Sequence, residues 1–230
     1  MPMRSSVLSL NDVAFERRTS AVAGLNLHLG HGETALVEIG TDGEPDLLVD
    51  VCLGLVRPAR GEVHFLGELW RRFNYLDVLS RRSRIGTLVG SQVWAAHMPV
   101  IEAVLMPVLC HTDRPVDDVA VDATALARRF GLPGLPLGMR ETVPAAQLTR
   151  AACVRAFMGM PELVVIADSH LDDSDELALP MAQAVGQVQD RGGAVLWLLE
   201  SLAAPAARFV PAAHVLRLGD RGLLPARRPA

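Results

Sequence analysis

Gly40-Thr41-Asp42-Gly43-Glu44-Pro45-Asp46-Leu47 is the stretch whose residue types bear most directly on chemistry. A glycine-containing turn leading from an apolar run into a helix can wrap a phosphate with its backbone N–H groups, and the helix dipole assists. Here Asp42, Glu44 and Asp46 bring carboxylates to the place such an anion would take. Two unit charges 4 Å apart interact by roughly 4 kcal/mol at an effective dielectric near 20. Repulsion of that order opposes a polyphosphate unless metal ions intervene. The same acids favour the helix itself by about 0.3–1 kcal/mol each, and Pro45 suits a first helical turn. Two readings stand: carboxylates that cap their own helix, or an acidic loop for a divalent metal.

A second acidic group, Asp168, His170, Asp172, Asp173, Asp175 and Glu176, also reads in two ways. It is a metal cluster, or the solvated loop and acidic first turn of a helix. His28, His31, His64, His111 and His214 show no i, i+4 pairing of the kind that metal ligation from a helix uses. Cys52, Cys110 and Cys153 are far apart and odd in number, which predicts three buried thiols in a reducing compartment rather than a metal site or disulfides.

All 22 basic residues are arginine, so no function that needs a lysine can reside in this chain. The net charge of −4, with only 4% aromatic residues, argues against a nucleic-acid partner. The 230 residues, half of them hydrophobic, suffice for one domain with a large core. Met1 to Ser6 has no apolar stretch, and no run approaches the roughly 18–20 apolar residues of a membrane span. The expected location is cytoplasmic, with the membrane reached through a partner.

The elements that would position these residues follow from periodicity. Val7 to Phe15 is strand-like, Leu25 to Leu29 alternates, and Thr34 to Ile39 is an apolar run suited to a strand buried on both faces. Asp46 to Leu55 has a helical apolar pattern, with Gly61 beyond Pro58, and Glu62 to Leu66 is a further strand. Residues 70 to 84 are charged and Arg-rich, and Ile85 to Val89 is a short strand. Residues 100 to 158 are helical in pattern, with loops at 111 to 115 and 132 to 136. Leu163 to Ile166 and Ala194 to Leu199 read as buried strands, and His214 to Leu218 pairs with Gly222 to Leu224 as a hairpin. Strands, then helices, then strand–helix–strand predict an α/β core with an inserted helical subdomain.

Four segments in order carry a family resemblance. Leu53-Gly54-Leu55-Val56-Arg57-Pro58-Ala59-Arg60-Gly61-Glu62-Val63 resembles the close of the first helix in ABC-transporter ATP-binding subunits. Arg84 to Val89 is similar to the strand entering that family's Q-loop, and His97 to Val104 to the segment after it. Arg155 to Leu163 resembles the approach to Walker B. The match spans nearly the whole chain, and its finer features are most similar to lipid-transport subunits of the Mla/Mce kind. The resemblance implies an ABC-type P-loop NTPase core with an N-terminal antiparallel β subdomain and an inserted α-helical subdomain. Its implied bounds are about 1–90 and 159–224 for the core, 91–158 for the helices and 225–230 for a loose tail.

The resemblance also implies ATP, Mg²⁺, a membrane permease and a homodimer or heterodimer of ATP-binding subunits. The residues that would serve ATP depart from the family pattern. Pro45 or Asp46 stands at the P-loop lysine, and Leu47 lies at or beside the Mg²⁺ hydroxyl. Glu16-Arg17-Arg18 stands in the neighbourhood of the adenine-stacking aromatic. Gly90 is at the Q-loop glutamine, with Gln92 near, and Pro144-Ala145-Ala146-Gln147 replaces the signature's serine and glycines. Walker B has one acid, Asp168, between Ala167 and Ser169, and Glu200 stands at the switch histidine. These departures imply a pseudo-ATPase with weak or absent ATP and Mg²⁺ binding. Gly90, Gln92, Trp94, His97 and Met98 fall where the family docks its permease, although Val93 to Met98 is apolar enough to be core. Two alternatives remain: an active ATPase whose missing charge comes from a partner or from Arg57, Arg60, Arg150 or Arg155, and a soluble regulatory module on the same fold.

Overall fold

A computed structural model of the chain describes residues 6–16, 21–40, 45–90, 94–167, 171 and 175–229. Two sheets organise it. The first is antiparallel, in the order β2-β1-β4-β5, from β1 (Ser6–Glu16), β2 (Ala21–Gly30), β4 (Arg60–Phe65) and β5 (Glu68–Leu69). The second has the order β10-β9-β3-β8-β7-β6. In it β3 (Thr34–Glu38), β6 (Ile85–Val89), β7 (Leu163–Ala167), β8 (Ala194–Leu199) and β9 (His214–Gly219) run parallel. β10 (Gly222–Pro225) closes the edge antiparallel to β9.

The apolar strands are buried on both faces, and their period of two decides which core each residue joins. Leu163 and Val165 of β7, Leu196 and Leu198 of β8, and Ala35 and Val37 of β3 face the antiparallel sheet and the first helix, α1 (Pro45–Cys52). Val164, Ile166, Val195, Trp197 and Leu36 face the helical side. That side is built from α3 (Val100–Leu109), α4 (Val116–Arg129), α5 (Ala145–Phe157) and α6 (Asp175–Asp190). α5 lies so close on β6 that a Cβ at Gly86 would meet the Ala156 carbonyl oxygen at 1.9 Å.

Helix α1 ends earlier than the Asp46 to Leu55 pattern predicts, and Gly54 is the reason. Its φ of +64° allows the Leu55 N–H to reach the Asp50 carbonyl at 2.8 Å and the Gly54 N–H to reach Val51 at 3.2 Å, a Schellman close. The Trp70 indole N–H then caps the Cys52 carbonyl at 3.0 Å, and Arg82 donates to the carbonyls of Leu53 and Gly54 at 3.1 and 2.6 Å. Trp70 stacks on Phe65, with ring centroids 5.5 Å apart. The Arg-rich stretch thus contains a structural anchor followed by α2 (Tyr75–Arg82), whose first turn is capped by the Asn74 side chain accepting from the Asp77 N–H at 3.0 Å.

Helices α3 to α5 occupy the segment expected to be helical, but the loop between α4 and α5 runs from 130 to 144 rather than 132 to 136. The tail expected to be loose from 225 is tied down as far as Arg228. Pro225 pairs with Leu216, the Ala226 N–H donates to Val215 at 2.9 Å, and the Arg228 guanidinium donates to the Val210 carbonyl at 2.6 Å. Cys52 and Cys153 are buried as expected, whereas Cys110, the C-cap of α3, is exposed. No helix among the described residues is long and apolar enough to cross a membrane.

Candidate functional site

The carboxyl edge of the parallel sheet gathers Gly40, Gly90 and Glu200. Register pairs Glu38 with Leu199 and Val89 with Ala167. Gly40, Gly90 and Glu200 therefore leave the sheet at one edge, where β7 also ends at Ala167. Chains in open α/β sheets bind ligands at this edge where the strand order reverses. β3 is such a point, with β8 on one side and β9 on the other.

Beyond β3 the Ile39 N–H donates to the Leu199 carbonyl at 2.8 Å, and Gly40 takes a φ of +72° to turn the chain away. Thr41, Asp42, Gly43 and Glu44 lie outside the described residues, as do Glu16's neighbours Arg17 and Arg18, Gln92, Asp168, Ser169 and His170. Pro45 opens α1 as expected, Asp46 is exposed in its first turn, and half-buried Leu47 packs against the core between the sheets. Burial, with the Asp46 charge one turn ahead, pushes the Asp50 carboxyl above its usual range.

Glu38 is a functional-edge residue that sequence reasoning passed over. Its Oε1 accepts the Leu202 N–H at 3.2 Å, and its Oε2 accepts from Arg217 Nε. One carboxylate so ties the segment after Glu200 and the neighbouring strand β9 to the end of β3. The signal for it was present: one acid in the otherwise apolar run Thr34 to Ile39.

The candidate arginines are placed elsewhere. Arg60 pairs with Asp12 at 2.7 Å and Arg57 is exposed, both beyond the far end of α1, a helix about 12 Å long. Arg150 donates to the Phe130 carbonyl at 2.6 Å and pairs with Glu176, linking α4, α5 and α6. Arg155 is in the last turn of α5, next to the amino edge of β7, and burial lowers its guanidinium pKa.

The signature positions Pro144, Ala145, Ala146 and Gln147 are exposed at the start of α5, with no side-chain cap. α5 packs chiefly on β6, α3 and α4. In the candidate docking segment Gly90 has a φ of +44°, Trp94 is buried in the helical core and Met98 packs against it, while Ala95, Ala96 and His97 are exposed. Trp94 is therefore core rather than a presented surface. Of the second acidic group, Asp172 and Asp173 are outside the described residues, and Asp175 and Glu176 are exposed in the first turn of α6.

The described residues do not fit a Mg-triphosphate. That ligand needs an ammonium and a hydroxyl at the start of the helix, whereas α1 opens with Pro45, the exposed carboxylate of Asp46 and the half-buried alkyl group of Leu47. A carboxylate in the first turn satisfies the positive end of the α1 dipole without any bound anion.

No protein-family model matches the chain, and no curated protein matches it in sequence. Solved structures do match in shape. The dimeric bacterial ABC transporter cassette MJ0796 superposes with a TM-score of 0.78 at 16% identity, over 94% of this chain and 96% of that one. MJ0796 in a post-hydrolysis state bound to ADP and Pi gives 0.77 at 17% identity over the same shares. The cassette cbiO1 from Clostridium perfringens, part of the ABC transporter complex cbiONQ, gives 0.74 at 13% identity, over 96% of this chain and 87% of that one. The chain has the fold of ABC-transporter ATP-binding cassettes.

Proposed function

We propose that the chain is a degenerate ATP-binding subunit of an ABC transporter, a pseudo-ATPase that docks on a membrane permease and does not turn over ATP. The observation that carries this reading is Asp46 at the amino end of α1, in a chain with no lysine to replace it. Leu47 facing the core, Ala167 closing β7, and the diversion of Arg60 and Arg150 to other partners support it. Losing single charge-stabilising groups typically costs on the order of 10²–10³ in rate, and here several are absent together.

An apolar surface supports docking. Val56 is exposed on the wall of a hollow of about 330 Å³ that Phe73, Val78, Arg57 and Arg71 also line, and Leu55, Tyr75 and Leu76 are exposed near these residues in sequence. Exposed apolar groups clustered inside a polar rim mark interaction sites. We assign these residues, and on the family resemblance exposed His97 and half-buried Met98, to contact with the permease. On this reading the chain is cytoplasmic and peripheral on the inner face of the cell membrane through that partner. The dimeric state of MJ0796 supports pairing with itself or with an active ATP-binding subunit. The transported class is lipid, on the Mla/Mce likeness.

Equilibrium titration of the purified chain with Mg-ATP tests the silent site. No saturable binding and no phosphate release are expected. Low-micromolar affinity would sink the reading, and steady turnover would sink it more decisively. Recovery of the chain in the membrane fraction of its own cells, reduced by Leu76→Glu, tests the docking half. A chain found only in the soluble fraction would favour the regulatory module.

A further inference from the structure

Residues 158 to 160 and Arg191 lie where the chain enters β7 and β8, at the amino edge of the parallel sheet. A five-residue strand, about 16 Å long, separates that edge from the one carrying Gly40 and Glu200. A cleft of about 340 Å³ opens here between α4, the end of α5 and α6. Leu126, Phe157, Met158 and Val188 give it an apolar lining, and Arg114, Arg129 and Arg191 reach into it.

The three arginines are not equivalent. Arg114 is neutralised by Asp122 at 2.7 Å. Arg129 Nη1 donates to the Gln187 side-chain oxygen at 2.7 Å, and Arg191 Nε donates to the Gln187 backbone carbonyl at 3.0 Å. Both guanidinium groups are thus held on one neutral residue. Among the described residues, neither has a carboxylate within ion-pair distance. A second hollow of about 250 Å³ shares Met160, Val188 and Arg191, and the acid in its wall, Glu162, is already held by Arg84.

Two cations that share a neutral anchor repel each other, and an anion between them removes that cost. Guanidinium forks match carboxylate geometry through paired N–H donors. The apolar lining would take the body of the same ligand. At about 30 Å³ for each water-sized group, the cleft has room for about eleven such groups. We infer that the cleft is a binding site for a medium-chain carboxylate, its head between Arg129 and Arg191 and its alkyl body over Leu126 and Val188. The site lies at the opposite edge of the sheet from the nucleotide positions, so it stands whether or not the chain binds ATP.

Calorimetric titration of the full chain with decanoate, and separately with decanol, tests the assignment. Decanoate should bind at least about tenfold tighter than decanol, and its affinity should fall as salt rises. Arg129→Gln and Arg191→Gln should each remove most of that advantage while leaving decanol unchanged. Arg221→Gln, at an exposed arginine in the turn between β9 and β10 and outside the cleft lining, should change the binding of neither ligand. Unfolding midpoints of the variants should match the parent, since both side chains lie at the surface. Equal binding of the two ligands, no saturable decanoate binding, or an equal loss in Arg221→Gln would each overturn the site.

Discussion

Asp46 stands one helical turn ahead of Asp50 on α1, and burial together with that neighbouring charge holds the Asp50 carboxyl above its usual range. Helix α1 thus carries two acids on one helical face. Removing one of them should help the helix. Like charges at i, i+4 cost about 0.2–0.5 kcal/mol, and Asp50→Asn should raise stability at neutral pH by about that amount. The sign with pH follows from the raised value. Below the unfolded carboxyl pKa of about 3.9 Asp50 is protonated in both states and contributes nothing. As pH climbs through the raised folded value the destabilisation grows, and it persists above it. Urea midpoints of parent and variant should therefore converge in acid and separate towards neutrality.

Glu38 should prove structural rather than catalytic. Glu38→Gln weakens its bonds to Arg217 and to the Leu202 N–H. Hydrogen bonds to charged groups contribute about 1.5–3 kcal/mol, and the exposure of Arg217 lowers that. A loss of about 1–2 kcal/mol is expected. Faster amide exchange at Leu202 would locate the effect in the segment after β8.

Gly54→Ala should be among the most damaging single changes. The residue sits at a φ of +64°, and an added Cβ would meet the Trp70 ring at 2.6 Å. Left-handed strain and overpacking together should cost about 2–4 kcal/mol. Denaturant unfolding would measure it, and the loss of Trp70 packing should appear in the near-UV circular dichroism.

One thiol should react in the native protein. Cys110 is exposed, Cys153 is buried, and burial pushes the Cys52 thiol up to about 12. The thiolate is the reactive form. Alkylation at neutral pH should label Cys110 alone, and all three cysteines should label only after unfolding.

Much of this protein can be read from its residues in order. The apolar runs at 34 to 39, 163 to 166 and 194 to 199 already mark buried strands, because a strand covered on both faces has no need of polar residues. The absence of lysine and the acids at 42, 44 and 46 are likewise matters of composition and spacing. What needed the folded chain were relationships between residues distant in sequence. The role of Glu38 depends on Leu202 and Arg217, more than 160 residues away. The capping of α1 by Trp70 and Arg82, the burial of Trp94 and the pairing of Arg129 with Arg191 around Gln187 are of the same kind. Local pattern reports what a segment prefers to become, whereas the partner of a buried polar group is chosen by which segments the packed core brings side by side.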